Sequence, residues 1–169
     1  MKEDIGLKKT FRQNDVERVA NKFAADLLMP GYLFDEAART YRKPDFSTVD
    51  AIAEQFRVSR SAAAIRLIQR GHFPALLICH RPNKKPWFFR SPLVPDRWFP
   101  REDLDSESSA FDVQFGKKSG GRFLSRIGAD AWFDRFEAHG FEVREQSVPY
   151  GSGGSLTLVV IEDDGMLRD

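Results

Sequence analysis

The side chains best suited to metal binding or nucleophilic chemistry are few, and all of them lie beyond residue 70. They are His72, Cys79, His80 and His139. No two histidines have the H-x-x-x-H spacing that brings two rings to one metal from a single helix. Two ligands without a third do not hold a catalytic zinc ion, and Cys79 has no defined base to activate its thiol. We therefore expect ordinary structural roles for these four residues.

Basic side chains are concentrated in the middle of the chain. Between Gln55 and Pro95 there are eight Lys or Arg and no Asp or Glu, whereas 15 acids and 9 bases follow from Asp96 onward. This asymmetry predicts an anionic partner, a contact between the two parts, or a solvated surface. The candidates for DNA contacts are Arg57, Ser59, Arg60, Ser61, Arg66 and Arg70. Arg and Ser bind phosphates, and Arg also reads guanine edges.

The first 71 residues have a helical pattern. Asn14 and Glu17 fit a capping box, and an apolar stripe follows until Pro30 and Gly31 end this helix, predicted over 14–28. A second helix is predicted over 31–41. Ser47 or Thr48 is the expected N-cap of a helix over 48–56, and Ser59 that of a helix over 60–70 ending at Gly71. Two short helices joined by a tight turn form a helix-turn-helix pattern.

The remainder of the chain is predicted to be richer in strands. Apolar runs and turn residues predict strands at 73–79, 87–89, 141–148 and 156–161, an exposed loop or short helix at 101–110, a turn at 116–121, and a helix over 129–139. The Gly-Ser-Gly-Gly segment at 151–154 is a hairpin turn between the last two strands. The many aromatic residues between 87 and 133 are expected in the core, with a stacking surface for nucleic acid or a ligand pocket as alternatives.

Two segments resemble a known family. Residues 17–30, ERVANKFAADLLMP, match the pattern E-x-x-A-N-x-F-A-x-x-L-L-M-P of the ImmA/IrrE zinc metallopeptidases, and residues 56–67 match that family's F-x-V-S-x-x-A-x-x-x-R-L. The resemblance is firm over 14–71 and loose over 72–169. It implies a zincin-like remnant followed by a helix-turn-helix-like unit. Longer relatives also carry a C-terminal sensor module similar to GAF domains.

The resemblance implies a zinc site made by an HExxH helix and a third ligand, a Glu, whose matching position here is Glu17. The HExxH helix is expected upstream of that Glu, and this sequence contains none. Zinc is therefore expected in the complete family site and not in this chain alone, where Glu17 also fits the capping role. The chain is a fragment of a longer enzyme, one half of a split enzyme, or a regulator that has lost catalysis.

The expected fold is α+β, with a zincin-like remnant at 1–45, a helix-turn-helix-like unit at 46–71 and a mixed α+β sensor-like domain at 72–169. The family role is zinc-dependent cleavage of transcriptional repressors in bacterial stress circuits, and this chain is expected to be inactive. The alternative is a non-catalytic regulator that binds DNA or a repressor. Expected partners are an HExxH segment, a repressor or DNA, and a second copy. The single cysteine and the absence of a signal or membrane-spanning segment indicate a cytoplasmic protein.

Overall fold

The computed structural model describes residues 19–116 and 120–168. Four helices come first: α1 (residues 19–28), α2 (Gly31–Arg39), α3 (Phe46–Phe56) and α4 (Arg60–Gln69). Pro30 separates α1 from α2, since a proline has no backbone N–H to continue the first helix. The predicted helices are therefore present in the described part of the chain, with α2 ending two residues earlier than expected.

Capping side chains set the bounds of α3 and α4. The Asp45 carboxylate accepts a hydrogen bond from the Thr48 backbone N–H at 2.8 Å, so the predicted caps Ser47 and Thr48 were wrong and lie inside the first turn. The prediction for α4 is confirmed, because the Ser59 hydroxyl accepts from the Ala62 N–H at 3.1 Å. Gly71 follows α4 with φ of 70°, as expected for a glycine that ends a helix.

A five-stranded antiparallel sheet forms the second half. Its strands are β1 (Ala75–Arg81), β2 (Lys84–Arg90), β3 (Ser125–Gly128), β4 (Glu142–Tyr150) and β5 (Gly154–Val160), in the order β2-β1-β5-β4-β3. The predicted hairpin is confirmed, with β4 and β5 paired from Arg144↔Val160 to Tyr150↔Gly154. Two further short helices are α5 (Ser109–Phe115) and α6 (Asp164–Leu167).

The predicted helix over 129–139 was wrong. This segment forms two short 3-10 turns, Ala129–Ala131 and Phe136–Gly140. The Trp132 carbonyl, which would accept an intrahelical bond in an α-helix, instead accepts the Arg101 backbone N–H at 2.8 Å. Phe133 also forms an isolated β-bridge with Pro100. Contacts with a distant loop therefore override the local helical pattern.

The sheet separates two apolar clusters. On one face, buried side chains of α2, α3 and α4 pack on Ala75, Leu77 and Cys79 of β1 and on β5. On the other face, Leu76 and Ile78 of β1 pack with Trp98, Trp132, Phe133 and Met166. Successive side chains of β1 thus pack into the two clusters in turn, because successive side chains of a strand point to opposite faces of the sheet.

Within residues 19–116 and 120–168, no helix is long and apolar enough to cross a membrane.

Candidate functional site

Arg66 of α4 connects α4 to the end of α1. Its side chain is 9% exposed, and one of its Nη atoms donates to the Met29 carbonyl at 2.8 Å. The same atom pairs with the Asp26 carboxylate at 2.8 Å. A buried guanidinium with these partners positions one helix on another.

Arg70 and His72 converge on one carboxylate of α2. The Arg70 guanidinium forms a two-pronged ion pair with both oxygens of Asp35, and His72 Nε2 lies 2.8 Å from Asp35 Oδ1, the oxygen that also accepts from Arg70 Nε. The hydrogen bond from Arg70 is the main reason that the pKa of Asp35 lies well below its usual range, and His72 lowers it further. The same ion pair raises the pKa of Arg70. This cluster joins α2 to the end of α4.

The remaining candidate side chains surround the turn between α3 and α4. Arg60 donates to both oxygens of Asp50, at 2.6 and 2.9 Å, and so joins α4 to α3. The Ser59 hydroxyl caps α4 and lies 3.2 Å from the Ser61 hydroxyl. Arg57 is exposed and occupies the left-handed region with φ of 54°. Ser59, Arg60 and Ser61 are therefore together, whereas Arg66 and Arg70 lie toward the other end of α4.

Most of the basic side chains between Gln55 and Pro95 form ion pairs with acidic side chains of the same chain. Five of its eight basic residues form ion pairs with carboxylates: Arg60 with Asp50, Arg66 with Asp26, Arg70 with Asp35, Lys85 with Glu102 and Arg90 with Asp96. Two of these partners come from the acidic second half. One alternative from the sequence was a contact between the basic middle of the chain and the acidic part from Asp96 onward. Lys85 and Arg90 make such contacts. Helix α4 also packs against β1 and β2.

Glu17, the residue that matches the third zinc ligand, lies outside the described residues. Helix α1, whose described part starts two residues after Glu17 in the sequence, has large exposed apolar side chains. Val19, Phe23 and Leu27 are each 65% exposed. The described part of this helix therefore has an uncovered apolar face.

A buried polar cluster lies between α5 and the sheet. Glu145 of β4 is buried, and its two carboxylate oxygens accept hydrogen bonds from the Ser109 N–H at 2.6 Å and from Trp132 Nε1 at 2.8 Å. Burial raises the pKa of Glu145 despite these two donors. A carboxylate with a raised pKa inside a network of this kind is a common feature of functional sites and of structural networks alike.

Hydroxyl groups extend this cluster across the sheet. The Ser147 hydroxyl lies 2.7 Å from those of both Ser109 and Thr157, and Gln114 Nε2 donates to the Ser155 hydroxyl at 2.9 Å. The sequence did not indicate this cluster, because its hydrogen-bonded partners are separated by up to 41 residues. The only local signal is the polar character of both faces of β4 and the Ser-Leu-Thr alternation in β5.

His80 lies at the same sheet face, opposite Ser155 in the neighbouring strand. Its ring centroid is 6.2 Å from that of Trp132. Both ring nitrogens are buried without a hydrogen-bond partner among the described residues. Burial lowers the pKa of His80, although the Glu102 backbone and the Asp103 carboxylate favour its protonated form. His80 is therefore a neutral imidazole at neutral pH.

A zinc site is not formed by the described residues. Over 19–116 and 120–168, no three His, Cys, Asp or Glu side chains come close enough to hold a metal ion. The Cys79 thiol is buried and its pKa is raised by burial, so it is a poor zinc ligand. These side chains do not fit the three-ligand site of a zinc peptidase.

Comparison with known proteins identifies the helical part. A family model described as the IrrE N-terminal-like domain, peptidase family M78, matches residues 6–68. That segment contains Glu17 and all of the helices α1 to α4 but for the last residue of α4. A search of the curated proteins finds no match. Residues 6–68 of this chain are thus similar to the N-terminal domain of the ImmA/IrrE family of metallopeptidase-like proteins.

Proposed function

We propose that the helical part of this chain is the portion of a zinc metallopeptidase domain that follows the metal-binding helix, and that the chain cleaves no peptide by itself. The observation that carries this proposal is the family match over 6–68 in a sequence whose first histidine is His72. Zinc peptidases bind the metal through three protein ligands and use a Glu as general base. The family match supplies one candidate ligand, Glu17, and neither histidines nor base.

In a complete site, Glu17 would be the third zinc ligand and the two histidines and the general base would come from a segment carrying HExxH, in the same polypeptide or another. The substrate class is the helix-turn-helix transcriptional repressor, in keeping with the family role. Zincin-like packing of α1 against that segment is part of this proposal, and the exposed side chains of α1 are consistent with it.

For residues 72–169 we propose a sensor-like role, similar to that of GAF modules in longer relatives. The support is the buried polar cluster around Glu145 and His80, which an apolar core would not need. Because the sheet packs directly on α3 and α4, a change in this cluster could reach the helical part through β1.

A second candidate function is DNA binding by the α3–α4 unit without catalysis. It is favoured by the three-residue connection between the two helices and by the exposed Arg57 and Ser59. The ion pairs of Arg60 and Arg70 and the burial of Arg66 weigh against it. Fluorescence anisotropy with duplex DNA at low and moderate salt separates the two functions. Salt-dependent binding that is weakened by Arg57→Ala and Arg60→Ala would support DNA binding.

Metal analysis tests the principal proposal. The purified chain is incubated with excess zinc, passed through a desalting column and analysed for metal, beside its Glu17→Gln variant. We expect both proteins to retain far less than one zinc ion per chain, because one carboxylate does not hold the metal. Stoichiometric zinc in the parent chain that is lost in Glu17→Gln would show that the chain forms the site by itself and would refute the proposal.

A further inference from the structure

The sheet face beneath α5 carries polar side chains at its centre. We name these four residues the polar floor: Glu145 and Ser147 of β4, and Ser155 and Thr157 of β5. All four are at most 3% exposed. Ser147 and Thr157 are directly opposite each other, and their hydroxyls lie 2.7 Å apart. Burying polar side chains side by side costs free energy that apolar residues at the same positions would not cost.

The strand beneath α5 has the pattern of a sheet with one hydrated face. Along β5, Ser155 and Thr157 alternate with Leu156 and Leu158, which belong to the apolar cluster on the opposite face. This alternation is typical of an antiparallel sheet that packs on one face and meets water on the other. The sequence of β5 therefore suits a face that water or a ligand reaches, whereas α5 occupies that face in the structure.

Helix α5 is joined to the polar floor by hydrogen bonds near both of its ends. At its first residue, the Ser109 N–H donates to a Glu145 oxygen at 2.6 Å, and the Ser109 hydroxyl lies 2.7 Å from that of Ser147. Near its last residue, Gln114 Nε2 donates to the Ser155 hydroxyl at 2.9 Å. Water replaces such bonds when the helix leaves the sheet, so their net contribution to holding it there is small.

The apolar side chains of α5 contribute little to its attachment. Ala110 belongs to an apolar cluster, whereas Phe111 and Val113 are half-buried outside both clusters and Phe115 is 67% exposed. A helix of seven residues is also too short to be stable by itself. Segments with few buried apolar contacts open at a lower free energy than the core does. We therefore expect α5 to open before the sheet unfolds.

The buried imidazole of His80 favours the same opening. His80 lies beside the polar floor, because it is opposite Ser155 in the register of β1 and β5. Both of its ring nitrogens are buried without a hydrogen-bond partner among the described residues. A buried polar group without a partner raises the free energy of the closed state, and contact with water removes that cost. His80 thus stabilises a state in which water reaches this face.

We infer that α5 is a removable cover, which leaves the sheet while β4 and β5 stay paired and so exposes the polar floor. The exposed floor offers one carboxylate and three hydroxyls to water or to a hydrogen-bonding ligand. The inference goes beyond the sensor-like role proposed for residues 72–169, and it holds whether or not the chain completes a zinc site. A cover that never opens would leave the role of Glu17 untouched, so the two failures are distinguishable.

Thiol labelling tests whether the polar floor becomes accessible. Ser155→Cys places a thiol on the floor, and the native Cys79 is the matched control, since it is buried in the neighbouring strand on the opposite face. The variant is treated with a maleimide without denaturant, and both thiols are followed by peptide mass spectrometry. We expect the introduced thiol to be labelled at least about tenfold faster than Cys79. Equal labelling rates would show that the floor opens only on global unfolding and would overturn the inference.

Hydrogen exchange of the parent chain is a test without a substitution. The backbone amides of α5 should exchange faster than those of β4 and β5. Low concentrations of urea should accelerate exchange in the strands far more than in α5, because a local opening exposes little surface. Amides of α5 that exchange at the rate and with the urea dependence of the strands would contradict the inference.

A disulfide between α5 and β4 distinguishes departure of the helix from fraying in place. The hydroxyls of Ser109 and Ser147 lie 2.7 Å apart, so Ser109→Cys combined with Ser147→Cys should form a cross-link under mild oxidation. Hydrogen exchange of α5 should be slower in the oxidised form than in the reduced form. Exchange that is equally fast in both forms would show that α5 unfolds without leaving the sheet, which would overturn the inference.

Discussion

His80 carries two ring nitrogens that are buried without a hydrogen-bond partner among the described residues. Burial lowers its pKa from the ordinary value of 6.5, so the unfolded chain takes up a proton at a higher pH than the folded chain does. The stabilising effect of the neutral imidazole is thus complete above about pH 6.5 and is lost as the pH falls below that value. His80 therefore lowers the stability of the folded protein at acidic pH.

His80→Leu should reduce this sensitivity. The free energy of unfolding, measured by urea denaturation at pH 7 and pH 5, should fall less in the variant than in the parent, because no buried imidazole must remain neutral. His139→Leu is the control, since His139 is 68% exposed and pairs with Asp130 at the surface. An equal loss of stability in parent and His80→Leu between the two pH values would contradict this account of His80.

The buried Glu145 carboxylate is a hydrogen-bond acceptor whose contribution to stability can be measured with an isosteric variant. Each of its carboxylate oxygens accepts one hydrogen bond, from the Ser109 N–H and from Trp132 Nε1. Glu145→Gln replaces one acceptor by an NH₂ group that faces a donor, so we expect a loss of about 1–3 kcal/mol in unfolding free energy. Glu142→Gln on the exposed part of the same strand should cost far less. If the two variants lowered the free energy of unfolding equally, the buried hydrogen bonds of Glu145 would contribute little to stability.

Arg57 sets the geometry between α3 and α4. It ends α3 with φ of 54° and ψ of 45°, a left-handed conformation that costs a side-chain-bearing residue about 1 kcal/mol relative to glycine. Arg57→Gly should therefore raise the midpoint of thermal unfolding, whereas Arg57→Ala should not. A midpoint lowered by Arg57→Gly would mean that the Arg57 side chain makes a stabilising contact that outweighs the backbone strain.

Local signals decided which elements the sequence could predict. Helix α4 was predicted to within one residue because its cap, Ser59, and its stop, Gly71, both act within one turn of the helix. The helix predicted over 129–139 failed because the Trp132 carbonyl bonds to Arg101, which is 31 residues earlier. The buried polar cluster was not predicted for the same reason. Its groups come together only through the strand order and the placement of α5.

The two halves of the molecule share one of its two apolar clusters. Residues of α2 to α4 and of β1 and β5 are members of the same cluster, so neither half covers its own apolar surface. We expect residues 72–169, produced alone, to lose the near-ultraviolet circular dichroism of their tryptophans and to expose the uncovered sheet face. The domain boundary near residue 71 stays a prediction. A separately produced segment that unfolds cooperatively would support that boundary and contradict the expectation.

The central proposal rests on the family match over residues 6–68 and on the absence of an HExxH motif from the sequence: we propose that this chain contributes one zinc ligand, Glu17, to a site that it does not complete. Its most direct test is to fuse an HExxH-bearing helical segment from a family member ahead of Met1 and to measure zinc affinity by competition with a chromogenic chelator. We predict one tightly bound zinc ion per fused chain and an affinity at least about tenfold weaker after Glu17→Gln, since a ligand is lost. Equal zinc affinity with and without the Glu17 carboxylate, or no zinc binding by the fusion, would contradict the claim.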